Sequence, residues 1–192
     1  CTNVKFGARP FPFNQVEEHL TSLILTGSDT STCTNMASVF HSNSGLTSLD
    51  ISHWDVSNVT NMLNLFGQTR FDYLNISTWD FASIPYANGS NNSGGTNCNG
   101  MWQGAITQQF VAENVKMNAV SSFNLFGGNY AFGAPTWGQT LDLSTWDMTA
   151  AVDIGYMFFD VPGLPGLNIT GWDTSNVTNM DSAFFGLQTI LQ

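Results

Sequence analysis

The feature that most constrains this chain is a segment that recurs along it. Residues 46–66 open with Leu-Thr-Ser-Leu-Asp-Ile-Ser-His-Trp-Asp and close with Phe66, and residues 164–184 repeat much of this string in the same order. Weaker copies begin near Leu20, Leu74, Phe110 and Leu141, which gives six. Where nothing is inserted the period is 25 or 26 residues. Such a period is typical of solenoids, in which each copy buries its apolar face against the next.

Two periodicities inside each copy predict its backbone. In Leu49-Asp50-Ile51-Ser52 apolar and polar residues alternate, which indicates a strand with one buried face. The apolar residues Val59, Met62 and Phe66 are spaced by three and then four, which favours two turns of helix. Residues 55–58 offer side-chain acceptors for the first helical N–H groups. The sequence therefore predicts an α/β solenoid: a leucine-rich-repeat-like curved coil of six strand–turn–helix repeats with one parallel sheet.

The repeats fill most of the chain, so residues 1–192 are expected to form a single domain. Residues 1–19 contain several phenylalanines and prolines and are expected to be an N-terminal cap over the first of the repeats, which occupy 20–186. Two insertions, at about 81–95 and 127–138, interrupt the period on either side of the degenerate fourth copy. Insertions in solenoids form loops, often on the binding side.

The string Leu-Asp-Ile-Ser-x-Trp-Asp-x-Ser-Asn-Val-Thr-Asn-Met, read from Leu49 to Met62, closely resembles the BspA-like leucine-rich repeats of bacterial and mycoplasma-type surface lipoproteins. The resemblance covers roughly residues 20–188. It implies a surface or secreted binding protein. A narrower similarity is to the calcium-dependent peptide-binding domains of RTX adhesins, which implies a peptide ligand.

The composition argues against several function classes. Only 9% of residues are charged, the net charge is −10, and Lys and Arg together number 4. Such a surface is a poor partner for nucleic acid or for anionic membranes. No run of 18 apolar residues is present to span a bilayer. The three histidines are scattered and no nucleophile–base or metal-protease motif occurs, so we expect no enzyme.

The ligand site is predicted on the outward face of the sheet beside the two insertions. Outward columns of polar strand residues and aromatic residues of the inserted loops would supply amides, a carboxylate and ring surfaces for an extended ligand. The candidate residues are Asp50, Tyr73, Asn75, Trp102, Phe110, Tyr130, Trp137 and Asp142. The competing interpretation is that these aromatic residues only pack the loops down.

Calcium is the one cofactor that the sequence suggests. The acidic charge, a recurring Trp-Asp pair and the Asn-rich insertion favour a hard cation, with Asp80, Asn97 and Asp142 as candidate ligands. The alternative is that each recurring aspartate caps its own helix. The expected function is an extracellular adhesion module, a monomeric domain of a larger protein that binds a peptide or protein on a host or neighbouring cell. A glycan-binding module and a structural spacer remain the alternatives.

Overall fold

The computed structural model describes residues 22–23, 27–81, 83, 101–102, 104–117, 125–126 and 136–187. The predicted cap, residues 1–19, and most of both insertions lie outside these ranges. Seven short strands are present: β1 Ser22–Leu23, β2 Ser48–Asp50, β3 Arg70–Asn75, β4 Ile106–Val111, β5 Thr136–Trp137, β6 Leu141–Asp142 and β7 Leu167–Asn168. None of the described residues belongs to a helix long and apolar enough to cross a membrane.

Strands from successive copies pair in parallel. Leu49 is the register partner of Leu23 on one side and of Leu74 on the other. In a second sheet, Leu141 pairs with Leu167. The predicted strand pairs Leu49–Leu74 and Leu141–Leu167 are therefore confirmed.

The predicted strand–turn–helix solenoid is wrong. No residue in the described part of the chain is helical, and the strands fall into two small sheets, β1–β5 and β6–β7, instead of one. An α-helix bonds each N–H to the carbonyl four residues earlier. Here the N–H of Ser38 donates to the carbonyl of Leu63 at 2.9 Å, and that of Phe40 to Leu65 at 3.0 Å. In the segments predicted as helices, alternate N–H groups donate to the next copy. The N–H groups between them close turns on the carbonyl three residues earlier, as His41 does on Ser38 at 3.2 Å.

Tight turns reproduce the apolar spacing that indicated a helix. Within each of four copies two residues four apart have positive φ, which an α-helix of L-residues does not tolerate. These residues are Ser38 and Ser42, Asn64 and Gln68, Tyr156 and Asp160, and Ser182 and Gly186. Val59, Met62 and Phe66 are nevertheless all fully buried. A spacing of three and four thus arises from consecutive turns as readily as from a helix.

The boundary between the two sheets lies after β5. Only Ile106 and Thr107 of β4 pair with β5. The side-chain amide of Gln139 then donates to the carbonyl of Phe110 at 2.7 Å, at a point where a continuing strand would bond through its main chain. The side-chain bond of Gln139 takes the place of a main-chain bond between strands, so β6 begins a separate sheet.

An aromatic column runs through the core and receives one ring from each of six copies. The rings are stacked or tilted, with successive centroids 5.8, 5.5, 4.9, 5.3 and 5.6 Å apart. Offset stacking at these separations is favourable beyond the area that it buries. In chain order the column consists of Phe40, Phe66, Trp102, Phe126, Phe158 and Phe184.

The recurring tryptophans tie neighbouring copies together. The indole N–H donates to a carbonyl of the preceding copy from Trp79 to Ile51 at 2.9 Å, and from Trp146 to Ala112 at 2.7 Å. Trp79 and Trp146 are both buried. Their polar atom would be costly to bury unpaired, so these bonds help to fix the register of the copies.

Candidate functional site

Two adjacent strands present two consecutive side chains to solvent. In β3, Asp72 is exposed and Tyr73 is half-buried. In β4, Gln108 and Gln109 are both exposed. The carbonyl of Thr47 accepts the N–H of Asp72 at 2.7 Å and that of Tyr73 at 3.1 Å. One carbonyl facing two N–H groups marks a β-bulge, which commonly re-aims a side chain beside a functional site.

The bulge in β3 and the in-register pairing of β4 bring uncommitted polar groups side by side. Tyr73 is the register partner of Gln109, and Ser48 lies on its other side. Arg70, at the start of β3, is exposed on the same strand. Within the described part of the chain, the side chains of Tyr73, Gln108 and Gln109 make no hydrogen bond. We call Ser48, Arg70, Asp72, Tyr73, Gln108 and Gln109 the outward face.

One of the predicted site residues, Tyr73, belongs to this face, and two more border it. Asp50 and Asn75 are register partners on β2 and β3, two positions beyond Ser48 and Tyr73. Asp142 lies in the other sheet, paired with Asn168. Tyr130 lies outside the described residues. The structure therefore brings Asp50, Tyr73 and Asn75 together but does not join Asp142 to them.

The predicted surface roles of Phe110, Trp102 and Trp137 are wrong, because all three side chains lie in the core. They are 6%, 0% and 3% exposed. The Phe110 ring lies 5.4 Å from Trp102 and 5.3 Å from Trp137, measured between centroids. An outward Phe110 would have the outward Asn75 as its register partner, whereas its partner is the buried Leu74. A slip of one residue exchanges the two faces of a strand.

The recurring aspartates close local turns instead of capping helices. In each case one carboxylate oxygen accepts both the N–H and the hydroxyl of the Ser or Thr two residues later, as aspartates do in Asx-turns. The oxygen-to-hydroxyl distances are 2.6–2.8 Å. The aspartates concerned are Asp29, Asp50, Asp55, Asp142 and Asp147.

These bonds stabilise the ionised carboxylates. The Ser144 hydroxyl and N–H hold the pKa of Asp142 below its ordinary value, with a further bond from Asn168. Thr149 lowers the pKa of Asp147 in the same way. For Asp50, burial raises the pKa, but bonds from Ser52 and Asn75 outweigh it and the net pKa is lowered. The outer edge of the sheet therefore stays negatively charged at neutral pH.

Lys116 interrupts the column of like charges that the sequence predicted. It forms backbone bridges with Asp80 on one side and Asp147 on the other. Its Nζ lies 3.7 Å from Oδ2 of Asp80. The degenerate fourth copy has thus placed a cation between two aspartates. The pair is largely exposed, so its contribution to stability is small.

Calcium binding stays a prediction, and the described residues show no cluster of three or more His, Cys, Asp or Glu side chains that would support it. Calcium takes six to eight oxygen ligands. Asp80 pairs with Lys116, and Asp142 is bonded by Ser144 and Asn168. Asn97 lies outside the described ranges.

Sequence reasoning missed Gln109, Asp72 and Arg70. A signal for the glutamines was present, because each of three copies has two polar or weakly apolar residues between inward-facing positions. The three strings are Leu46-Thr-Ser-Leu49, Phe71-Asp-Tyr-Leu74 and Thr107-Gln-Gln-Phe110. Aligning these strings sets Phe110 with Leu74 and turns both glutamines outward.

Comparison with known proteins gives one family. Residues 12–126 and 128–192 match the family described as "Mycoplasma protein of unknown function, DUF285". This match confirms the predicted resemblance to the mycoplasma-type BspA-like repeats. No curated protein and no solved structure matches the chain.

Proposed function

We propose that this chain, which belongs to the DUF285 family, is a binding module that holds an extended polypeptide on its outward face. The observation that carries the proposal is the pair Tyr73 and Gln109, which are neighbours across β3 and β4. Their side chains make no hydrogen bond within the described residues. Neighbouring strands lie about 4.8 Å apart, so both side chains can contact one ligand.

The chemistry of the face suits main-chain recognition. The primary amides of Gln108 and Gln109 each offer a carbonyl acceptor and N–H donors, which matches the alternating groups of a peptide backbone. Tyr73 adds ring surface at a low cost in side-chain entropy. Arg70 and Asp72, both exposed, provide one charge of each sign at the edge. A glycan is the second candidate, because amides and an aromatic ring also recognise sugar hydroxyl groups.

The proposed setting is extracellular adhesion, in which the module binds a peptide or protein on a host or neighbouring cell. The family membership and the resemblance to surface-protein repeats support this setting, as does a net charge of −10 with few cations. A purely structural spacer is the rival account. A spacer has no need of a bulge in β3 or of unbonded side-chain amides beside it on β4.

A peptide array and a glycan array test the proposal, followed by affinity measurements on the best ligand. Tyr73→Ala and Gln109→Ala are each expected to weaken binding by about tenfold, or about 1.4 kcal/mol, at unchanged melting temperature. Tyr156→Ala and Gln68→Ala are matched controls outside the face and should bind normally. If neither array yields a ligand at millimolar concentration, the result favours the spacer. Binding that both face variants leave intact would move the site elsewhere.

A further inference from the structure

The fifth copy has one residue more than the fourth between two core positions. Two residues separate Thr107 from Phe110 in the fourth copy, whereas three, 138–140, separate Trp137 from Leu141 in the fifth. All four flanking side chains are buried. Thr107 pairs with Trp137, so the two stretches start level. The fifth copy therefore contains a residue that the ladder cannot accommodate.

The extra residue displaces the main chain outward. The carbonyl of Phe110 accepts the side-chain amide of Gln139 at 2.7 Å, so the main chain of Gln139 lies a side chain's length away from the ladder. The inner side is filled by the core, where the rings of Phe110 and Trp137 lie 5.3 Å apart. Gly138 and Thr140 are exposed and lie against the fourth and sixth copies, which leaves the outward direction. We call residues 138–140 the raised segment.

The raised segment carries main-chain groups that form no bond within the described part of the chain. The residues at its borders are paired: the N–H of Gly138 donates to Thr107 at 2.8 Å, and that of Leu141 to Gly166 at 2.9 Å. Between them, the N–H groups of two consecutive residues meet no acceptor in the described ranges, and the carbonyls of the raised segment meet no donor there. Unpaired main-chain groups beside a sheet are a template to which an extended polypeptide can add.

The raised segment and Tyr73 flank β4 on opposite sides. Tyr73 lies on β3 and is the register partner of Gln109, whereas the raised segment follows β5 on the other side of β4. Because neighbouring strands lie about 4.8 Å apart, a chain laid over β4 would have Tyr73 on one side and the raised segment on the other at about the spacing of paired strands. The exposed Gln108 and Gln109 would lie beneath it.

We propose that the raised segment is a second part of the binding site, where its main chain pairs with an extended polypeptide lying along β4. The inference rests on the proposed binding function and narrows its ligand class to a polypeptide recognised through its backbone. Gln139 is a positioning residue, because its bond to Phe110 holds the raised segment in place. Gly138 allows the close approach, since a Cβ there would lie 2.8 Å from the Cα of Gln108.

Amide hydrogen exchange followed by NMR tests the proposal, with acetylated and amidated hexapeptides from a positional-scanning library as the probe. In the free protein, the amides of Gln139 and Thr140 should exchange rapidly. A saturating hexapeptide should slow both by about tenfold, because each gains a hydrogen bond worth about 1 kcal/mol. The amides of Gly138 and Leu141 are internal controls, since both are bonded without the peptide.

A variant separates the positioning role of Gln139 from a general effect on folding. Gln139→Ala should weaken hexapeptide binding by about tenfold, or about 1.4 kcal/mol. The loss should be smaller for the same hexapeptide with its central amides N-methylated, because that probe can no longer donate to the raised segment. A general loss of stability would weaken both probes equally. Gln68→Ala is the matched control, since Gln68 bonds to Ser42 instead.

The outcomes distinguish this inference from the proposed function. A hexapeptide that binds, and whose affinity falls in Tyr73→Ala, but that leaves exchange at Gln139 and Thr140 unchanged would overturn the inference and leave the proposed function standing. Equal losses for both probes in Gln139→Ala would also overturn it. Binding of glycans without binding of any hexapeptide would overturn the inference too, because no polypeptide backbone would then be recognised.

Discussion

Trp102 stacks on Phe126 with their ring centroids 4.9 Å apart and their planes inclined by 10°. These two rings come from the copies that are interrupted or degenerate in sequence. The aromatic column nevertheless continues through them from Phe66 to Phe158. The aromatic stacking of the core therefore continues past both insertions.

Removal of a central ring should be costly. Trp102→Ala should lower the free energy of unfolding by about 3–5 kcal/mol, because the side chain is fully buried and contacts rings on both sides. Phe184→Ala, at the exposed end of the column, should cost less than about 2 kcal/mol. Urea denaturation of both variants gives the comparison. Equal losses would show that the column is not a continuous core element.

Gly138 should be intolerant of a side chain. A Cβ at this position would lie 2.8 Å from the Cα of Gln108 and 2.9 Å from its carbonyl oxygen. Gly138→Ala should therefore destabilise the protein by about 1–3 kcal/mol through backbone displacement.

Gly166→Ala is the matched control for Gly138→Ala. Its Cβ would meet only the side chain of Thr140, which is exposed and can rotate away. In thermal melts, Gly138→Ala should have a lower melting temperature than Gly166→Ala. The reverse order would show that the Gln108 backbone accommodates the added Cβ.

The strand pairs could be predicted from the sequence because few structures other than a strand produce an alternation of apolar and polar residues. Leu49, Leu74, Leu141 and Leu167 each occupy the buried position of a short strand or pack against the core, as their pattern indicated. The helices could not be excluded by pattern alone. Turns with a left-handed residue at Ser38 or Asn64 place apolar side chains at the same intervals. Only the hydrogen-bond acceptors of the N–H groups distinguish a helix from consecutive turns, and which acceptors are present depends on the neighbouring copy.

The candidate site was predicted only in part for a different reason. Tyr73, Asn75 and Asp50 were found because their copies follow the repeat closely. The fourth copy has lost its Trp-Asp pair, so its register had no anchor, and a slip of one residue exchanged Phe110 for Gln109. Trp102 and Trp137 were assigned to the surface because they border insertions, yet they fill the core.

The turn-closing aspartates predict a loss of stability in acid. Hydrogen bonds lower the folded pKa of Asp142 and Asp147 below the ordinary value of 3.8. A depressed folded pKa contributes stability that is fully present above 3.8 and is lost as the pH falls through the lower folded value. The melting temperature should therefore drop below about pH 4. In an NMR titration, Ser144→Ala should raise the pKa of Asp142 and leave that of Asp147 unchanged.

Calcium dependence stays a prediction of the sequence, and melting decides it. A ligand that binds only the native state stabilises it by about 2.7 kcal/mol at 100 times its dissociation constant. The prediction is a higher melting temperature in calcium than in EDTA, with magnesium as the control cation. Superimposable curves would remove calcium from the account.

The most direct test of the binding proposal is an amide chemical-shift titration with the tightest peptide from the array. The account predicts that the largest shifts fall on Asp72, Tyr73, Gln108 and Gln109, with smaller shifts on Ser48 and Arg70. The same titration on Tyr73→Ala protein should lose these shifts at the same peptide concentration. Shifts that instead centre on Met180 to Phe185, or that leave β3 and β4 unchanged while the peptide binds, would contradict the claim that the outward face is the binding site.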